Sequence, residues 1–341
     1  MSSPIVLTTQ RHQGGLSDLL SGLDLGGLTS SSSTPNNSVS VIRKRRMSIT
    51  AIPIGGDSGP CPIHVQMLGS GGGPCRCSLA DLLRGVTGHT ASSDYMSQVN
   101  VPSRPVRAQR PLAVISLDGV VDARLPYHLS GGYTDVIARP YLQTLMKYLL
   151  LQKSPWCFVF YTSMPRKDGL RTLKELNLPT GGPEDDERDG VLGLFARDDM
   201  RKWKGSPEPV KDLEYIWQAL YEEEGIRWGV HNTVVFSHDP SEMAKQPYSF
   251  IHVPSIEFKS ESNPLDDMFL LLAVAVLRDL ETEINFAYHI KEMGLNDVTF
   301  WTGIDSAHVD ERNEILYNAV RICARERITI RALTGNKRDA D

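Results

Sequence analysis

The sequence predicts an α/β protein in which a three-layer, Rossmann-like parallel sheet lies between helices. Short, continuous apolar runs alternate with amphipathic segments from residue 111 onward. Such runs are typical of parallel strands that are buried on both faces, and their alternation with helices is typical of a sheet covered on both sides. We expect three regions in the 341 residues: a disordered arm (1–108), the α/β domain (109–280) and a helical C-terminal extension (281–341).

Four segments have the composition of buried strands, because they combine apolar, β-branched and aromatic residues without interruption. They are LAVISL (112–117), WCFVFYTS (156–163), NTVVFSHDP (232–240) and SFIHVP (249–254). Elsewhere, apolar residues recur at the spacing of a helix face. The predicted helices lie at 141–153, 169–178, 212–225, 264–286 and 308–328.

The N-terminal region is rich in Ser, Gly, Pro and Thr, and it offers too little apolar surface to offset the entropy of backbone ordering. The exception is a leucine pattern at 16–23, which predicts either a transient helix or a helix that docks on a partner. The basic cluster RKRRMS (43–48) has two interpretations, a nuclear import signal or a charged disordered stretch, and Ser48 is placed for a basophilic kinase.

The net charge of −5 gives no electrostatic argument for nucleic-acid binding. The longest apolar run, 268–277, is about half the roughly 20 residues that a bilayer-spanning helix requires, so we expect no transmembrane segment.

An odd, scattered set of five cysteines favours a reducing compartment, and we expect the nucleus or cytoplasm, with the mitochondrion as the alternative. Four soft ligands could hold zinc, but their Gly-rich surroundings favour no metal. These are Cys61, His64, Cys75 and Cys77.

Polar side chains follow the predicted strands where each strand ends. In an open α/β sheet, ligands bind beyond the carboxyl ends of the strands, and these ends therefore define the candidate site. Hydroxyl, carboxylate and ammonium groups at successive strand ends suit a phosphate group. The candidates are Ser116, Asp118, Thr162, Ser163, Ser237, His238 and Asp239, together with Lys211 just before a predicted helix.

The order of these motifs resembles the catalytic domain of the RNA polymerase II C-terminal-domain phosphatases, also called NLI-interacting-factor-like phosphatases, of the haloacid dehalogenase (HAD) superfamily. The matching pieces span roughly residues 110–280. They are SLDGV (116–120) at the DxDx[TV] signature, Arg139-Pro140, YTSMP with Thr162, VKDL (210–213) with Lys211, VVFSHDP (234–240), Gln246-Pro247 with IHVPSIEF, and PLDDMFLLLAVAVL. The resemblance implies phosphate binding by Thr162 and Lys211.

The chain departs from this family at the two positions that matter most for chemistry. The resemblance implies a nucleophilic, magnesium-ligating aspartate at position 116 and a metal-ligating acid at 237, but both are serine. Asp118 keeps the family's acid/base position. Because such sites hold Mg²⁺ through one or two carboxylates, we expect Mg²⁺ binding to be weak or lost and predict no cofactor. Attack by Ser116 would give a phosphate monoester, whose hydrolysis is very slow without catalysis.

The sequence therefore favours a catalytically degenerate phosphatase-like domain that binds a protein, with a phosphorylated protein as one partner class, and no nucleic acid. Three alternatives stay open. One is an active Mg²⁺-dependent phosphoserine/phosphothreonine phosphatase with relocated carboxylates, Asp122 or Asp239. Another is a Ser-His-Asp hydrolase built from Ser116, His238 and Asp118 or Asp239, although no G-x-S-x-G elbow is present. The third is a subunit similar to the presequence receptor of the mitochondrial inner-membrane translocase.

Overall fold

Five parallel strands form one sheet, and this confirms the predicted α/β fold class. The computed structural model describes residues 91–104, 110–122, 136–181, 190–199, 211–254, 267–297, 300–301 and 308–332. The strands are β1 (Leu112–Ser116), β2 (Cys157–Tyr161), β3 (Val191–Phe195), β4 (Thr233–Ser237) and β5 (Phe250–His252). Their spatial order is β3-β2-β1-β4-β5. The predicted leucine helix at 16–23, the basic cluster and the candidate zinc ligands lie outside the described residues.

The strand order reverses next to β1. The chain moves outward from β1 through β2 to β3, and then returns to the other side of β1 with β4 and β5. Parallel pairing places Ile115 of β1 opposite Phe236 of β4, so the next residues, Ser116 and Ser237, come side by side at the carboxyl edge. Ligand sites of open α/β sheets form at such switch points. The two serines therefore occupy the sheet's most favourable ligand position.

Seven helices are described around the sheet. They are α1 (Ser93–Val99), α2 (Leu142–Leu149), α3 (Arg166–Glu175), α4 (Leu213–Glu224), α5 (Phe269–Leu280), α6 (Phe286–Met293) and α7 (Val309–Arg325). On one face, Leu213, Ile216 and Leu220 of α4 pack with strand residues such as Val114 and Val159. These apolar contacts fix α4, and Lys211 immediately precedes it.

Helix α5 covers the other face and is buried over almost its whole length. All residues from Phe269 to Leu277 are buried, because α5 packs against the sheet side and against both α2 and α7. The ring of Phe236 on β4 meets that of Phe269 at 6.2 Å. A helix that is apolar all round is typical of a buried position. Helix α7 likewise buries an apolar stripe, formed by Ile315, Ala319, Ile322 and Cys323.

The described residues beyond the predicted boundaries at 108 and 280 pack with the sheet. The described residues before 109 and after 280 belong to the same compact unit as the sheet. Tyr95 of α1 is buried, and its hydroxyl contacts the Ser249 hydroxyl at 3.1 Å and accepts from the backbone N–H of Tyr248 at 2.9 Å. Two well-placed apolar side chains, Tyr95 and Val99, are enough to dock this short helix, and composition does not reveal such sparse contacts.

None of the described helices is both long enough and apolar enough to cross a bilayer.

Candidate functional site

Lys211 lies beside Ser116 at the switch point. Its ammonium Nζ donates to Ser116 Oγ at 2.9 Å, and it also lies 5.2 Å from the centre of the Tyr161 ring. Lys211, Ser116 and Ser237 are each no more than 1% exposed. Burial also raises the pKa of Tyr161, so this ring stays neutral beside the lysine. A buried ammonium of this kind requires a carboxylate partner to offset its desolvation.

That partner is Glu242, which lies in a 3₁₀ turn (Pro240–Met243) after β4. Glu242 Oε2 lies 2.5 Å from Lys211 Nζ and accepts a hydrogen bond from Ser237 Oγ at 3.1 Å. One carboxylate oxygen therefore receives both the ammonium and a hydroxyl. We name these four residues, Ser116, Lys211, Ser237 and Glu242, the lysine cluster.

Asp118 belongs to a second, separate set of contacts. Its Oδ2 accepts hydrogen bonds from Thr162 Oγ1 at 3.0 Å, from Ser163 N–H at 2.7 Å and from Ser163 Oγ at 2.9 Å. Thr162 Oγ1 in turn accepts from the N–H of Met164 at 3.1 Å. The hydroxyl that the resemblance assigns to phosphate binding thus donates to the carboxylate, and Asp118 is held against the loop after β2.

Gly119 makes the turn after β1 possible. Its φ is +68°, a left-handed conformation that favours glycine, and a Cβ there would lie 2.6 Å from Cγ of His238. The imidazole of His238 therefore packs directly on the turn, and its Nδ1 has no hydrogen-bond partner among the described residues. The described partner of Ser116 is Lys211 rather than His238, so the predicted Ser-His-Asp arrangement is not assembled in this part of the chain.

Asp239 and Asp122, the predicted relocated carboxylates, have local hydrogen bonds. Asp239 Oδ1 accepts from the N–H and the hydroxyl of Ser241 at 2.8 and 2.6 Å, and so begins the 3₁₀ turn. Asp122 is buried and its Oδ1 accepts from the N–H of Ile137 at 3.3 Å. The carboxylate that contacts Lys211 is instead Glu242.

Arg139 ties the site loop to its surroundings. Its guanidinium makes a bidentate pair with Asp267 at 2.7 and 3.1 Å, and it also donates to the backbone carbonyls of Gly119 and Pro254 at 2.8 and 2.9 Å. Burial lowers the pKa of Arg139, and the Asp267 carboxylate opposes this shift. The Arg-Pro motif therefore supports the turn that carries Asp118.

No model of a known protein family matches the chain. An uncharacterized FCP1 homology domain-containing protein of Schizosaccharomyces pombe is 24% identical over 211 residues, which is 58% of this chain and 82% of the relative. The match supports a relationship to HAD-like phosphatases. It agrees with the parallel sheet and with the order of the strand-end motifs, and it supports a phosphatase-like domain in this chain.

The residues at the switch point do not fit the Mg²⁺ ion that the resemblance implies. Magnesium prefers carboxylate oxygens and water in an octahedral arrangement, but positions 116 and 237 offer hydroxyls. The carboxylates of Asp118 and Glu242 are engaged, the first by Thr162 and Ser163 and the second by Lys211. Among the described ranges, no three His, Cys, Asp or Glu side chains come together as a metal site.

The sequence analysis did not predict Glu242 as a site residue, although the sequence contains a feature that indicates it. Once serines occupy 116 and 237, a buried lysine at 211 needs a carboxylate from another position. The residues after β4 offer Asp239 and Glu242, and Asp239 adjoins a proline, where it is suited to capping a turn. The 3₁₀ turn then brings the second acid back over the strand end.

Proposed function

We propose that this chain contains a phosphatase-like domain that has lost phosphoryl transfer and acts as a protein-binding or regulatory scaffold. The observation that carries the proposal is the lysine cluster. Hydroxyls stand at 116 and 237, and Glu242 neutralises the lysine. A charge-neutral, buried cluster lacks the attacking carboxylate and the cationic field that phosphoryl transfer requires.

Ser116 is a poor substitute for an attacking carboxylate in this setting. For its hydroxyl to attack phosphorus, a base must take the proton, but its described partner is an ammonium group that already donates to it. Attack would also leave a stable serine monoester. Loss of a covalent nucleophile costs on the order of 10⁶ in kcat in other enzymes. We therefore expect turnover at the level of the uncatalysed reaction.

The test is hydrolysis of p-nitrophenyl phosphate with Mg²⁺ by the full chain. We expect no activity above that of a Lys211→Met variant. Turnover that is abolished by both Lys211→Met and Asp118→Asn would overturn the proposal and favour the active-enzyme alternative. The existence of a relocated carboxylate, Glu242 beside Lys211, is the observation that keeps this alternative worth testing.

Restoring the family acids gives a second test. The double variant Ser116→Asp/Ser237→Asp supplies the missing carboxylates. Because Glu242 remains in place, three carboxylates would then surround one lysine. We expect p-nitrophenyl phosphatase activity from the triple variant that adds Glu242→Gln, and less from the double variant because like charges repel. Inactivity of a folded triple variant would show that more than these three positions has changed.

We also propose that the domain binds a protein, including a phosphorylated one, and resides in the nucleus or cytoplasm. The resemblance supports the partner, and cysteine usage supports the compartment. The described cysteines, Cys157 and Cys323, are both buried. The comparisons give no support to the presequence-receptor alternative or to a mitochondrial location.

A further inference from the structure

The lysine cluster has the donor set of an anion site that already holds an anion. An ammonium and a hydroxyl converge on Glu242 Oε2 at 2.5 and 3.1 Å, and the same ammonium donates to a second hydroxyl, on Ser116. Charged donors and hydroxyls arranged in this way are suited to a phosphate oxygen as well as to a carboxylate oxygen. The Glu242 carboxylate thus stands where an external anionic group would bind.

In the ion pair between Lys211 and Glu242, Glu242 is the residue that is positioned to move out of the site. Its side chain is 16% exposed, whereas that of Lys211 is 1% exposed. The lysine precedes α4, whose apolar residues are buried against the sheet, while Glu242 lies on a four-residue turn. An anion that arrives from solvent therefore meets the glutamate before it meets the ammonium.

We propose that Glu242 is an internal competitor that closes a phosphate-binding site at Lys211. The closed state has Glu242 on Lys211, and the open state exposes the ammonium with the hydroxyls of Ser116 and Ser237 to a phosphate group. This inference rests on the proposed function, because a site that turned over phosphate esters would not be kept closed by its own side chain. Free phosphate and a phosphoserine peptide share the chemistry and are separated by the test.

The competition predicts how affinity changes when the competitor is removed. If the open state is populated at about 0.1–10%, the apparent affinity of wild type for phosphate is reduced by the same factor. The Glu242→Gln variant keeps the size of the side chain and removes its charge. We expect it to bind phosphate about 10- to 1,000-fold more tightly than wild type does.

The experiment measures the thermal midpoint of the full chain in millimolar inorganic phosphate, without Mg²⁺ and against sodium chloride of matched ionic strength. We expect phosphate to raise the midpoint of Glu242→Gln, because a ligand that binds only the folded state stabilises it. Wild type and the control Glu223→Gln, an exposed glutamate on α4, should show little change. Adding Lys211→Met to Glu242→Gln should abolish the shift.

Three results would overturn the inference: equal phosphate affinity in wild type and Glu242→Gln, no binding by folded Glu242→Gln, or binding that survives Lys211→Met. If Glu242→Gln does not fold, Glu242→Asp decides the matter. It keeps the charge but shortens the side chain by one methylene group, which weakens the contact with Lys211 and leaves every phosphate donor in place, so it should raise phosphate affinity in the same direction. An unchanged affinity in folded Glu242→Asp would then contradict the inference.

A second arm repeats the titration with a phosphoserine peptide and its unphosphorylated form. Tighter binding of the phosphopeptide than of free phosphate to Glu242→Gln would identify a phosphoprotein as the source of the anion, and equal binding would identify free phosphate. Wild type from the same preparation is assayed with p-nitrophenyl phosphate and Mg²⁺. Turnover there would reject the proposed function, whereas a failed phosphate titration without turnover would reject only the role of Glu242.

Discussion

At the scale of single residues, His252 lies at the edge of the site, beside His238. Its Nε2 lies 3.1 Å from the backbone carbonyl of His238, and a carbonyl only accepts, so Nε2 carries a proton and donates it. Burial lowers the pKa of His252 below its usual 6.5. The hydrogen bond to His238 and the charges of Asp239 and Asp297 oppose that shift, and the charge of His238 adds to it. The folded protein therefore favours the neutral imidazole.

This shift predicts a pH dependence of stability with a definite sign. Between the lowered folded pKa and the unfolded value of about 6.5, the unfolded chain binds more protons than the folded chain. The contribution of His252 is therefore complete above about pH 6.5 and is lost as the pH falls through the lower value. Urea unfolding from acid to neutral pH should show a smaller fall in stability for His252→Gln than for wild type. Identical pH profiles would contradict the assignment.

At the scale of elements, Arg139 joins three parts of the fold that meet at the site. It contacts the turn after β1 at Gly119, the chain after β5 at Pro254, and Asp267 at the beginning of α5. Asp267 Oδ1 also accepts from the N–H of Phe269, and the guanidinium lies 5.3 Å from the centre of that ring. Only a planar fork with several donors can satisfy these partners together.

We expect Arg139→Lys to destabilise the protein almost as much as Arg139→Met does. A lysine has one donor group and cannot reach two carbonyls and a bidentate carboxylate. Breaking a buried pair on one side costs about 3–5 kcal/mol. The control is Arg171→Met, whose pairs with Asp168 and Glu175 are exposed, and which should change the free energy of unfolding by under about 0.5 kcal/mol. Equal effects at the two arginines in urea titrations would refute this account.

The sequence predicted the strands whose burial requires a continuous run of apolar residues. Strands β1, β2, β4 and β5 have apolar runs, and each lies inside a predicted segment. Strand β3 was missed because it is an edge strand, with Gly193 inside it and only two of its five residues buried. The predicted helix at 264–286 runs past the end of α5 at Leu280, because the break at 281–285 carries no proline or glycine, and α6 was not predicted.

The sequence likewise predicted only some of the side-chain contacts in the site. Strand ends could be read from the apolar runs, so Ser116 and Ser237 were expected near one another, and their strands are neighbours. The partner of Lys211 could not be read in the same way. It depends on how a four-residue turn folds back, which the spacing between Ser237 and Glu242 alone does not determine.

At the scale of the whole molecule, the described N-terminal residues bind the sheet edge that carries part of the site. Tyr95 contacts Ser249 and Tyr248, which directly precede β5. Asn285, before α6, donates to the carbonyls of Gln98 and Val101 at 2.9 and 2.7 Å. These contacts join residues more than 150 positions apart, so α1 stabilises β5 and with it His252.

This arrangement predicts that α1 contributes to global stability, unlike a disordered arm. Replacing a buried aromatic side chain with alanine costs about 3–5 kcal/mol, and we expect a loss in this range for Tyr95→Ala in the full chain. Tyr95→Phe should cost about 1–3 kcal/mol, because it removes the buried hydroxyl that accepts from the Tyr248 N–H and contacts the Ser249 hydroxyl. Gln98→Ala, an exposed position on the same helix, should have little effect. If urea unfolding gives the same midpoint for Tyr95→Ala and Gln98→Ala, residues 91–104 do not belong to the cooperative unit.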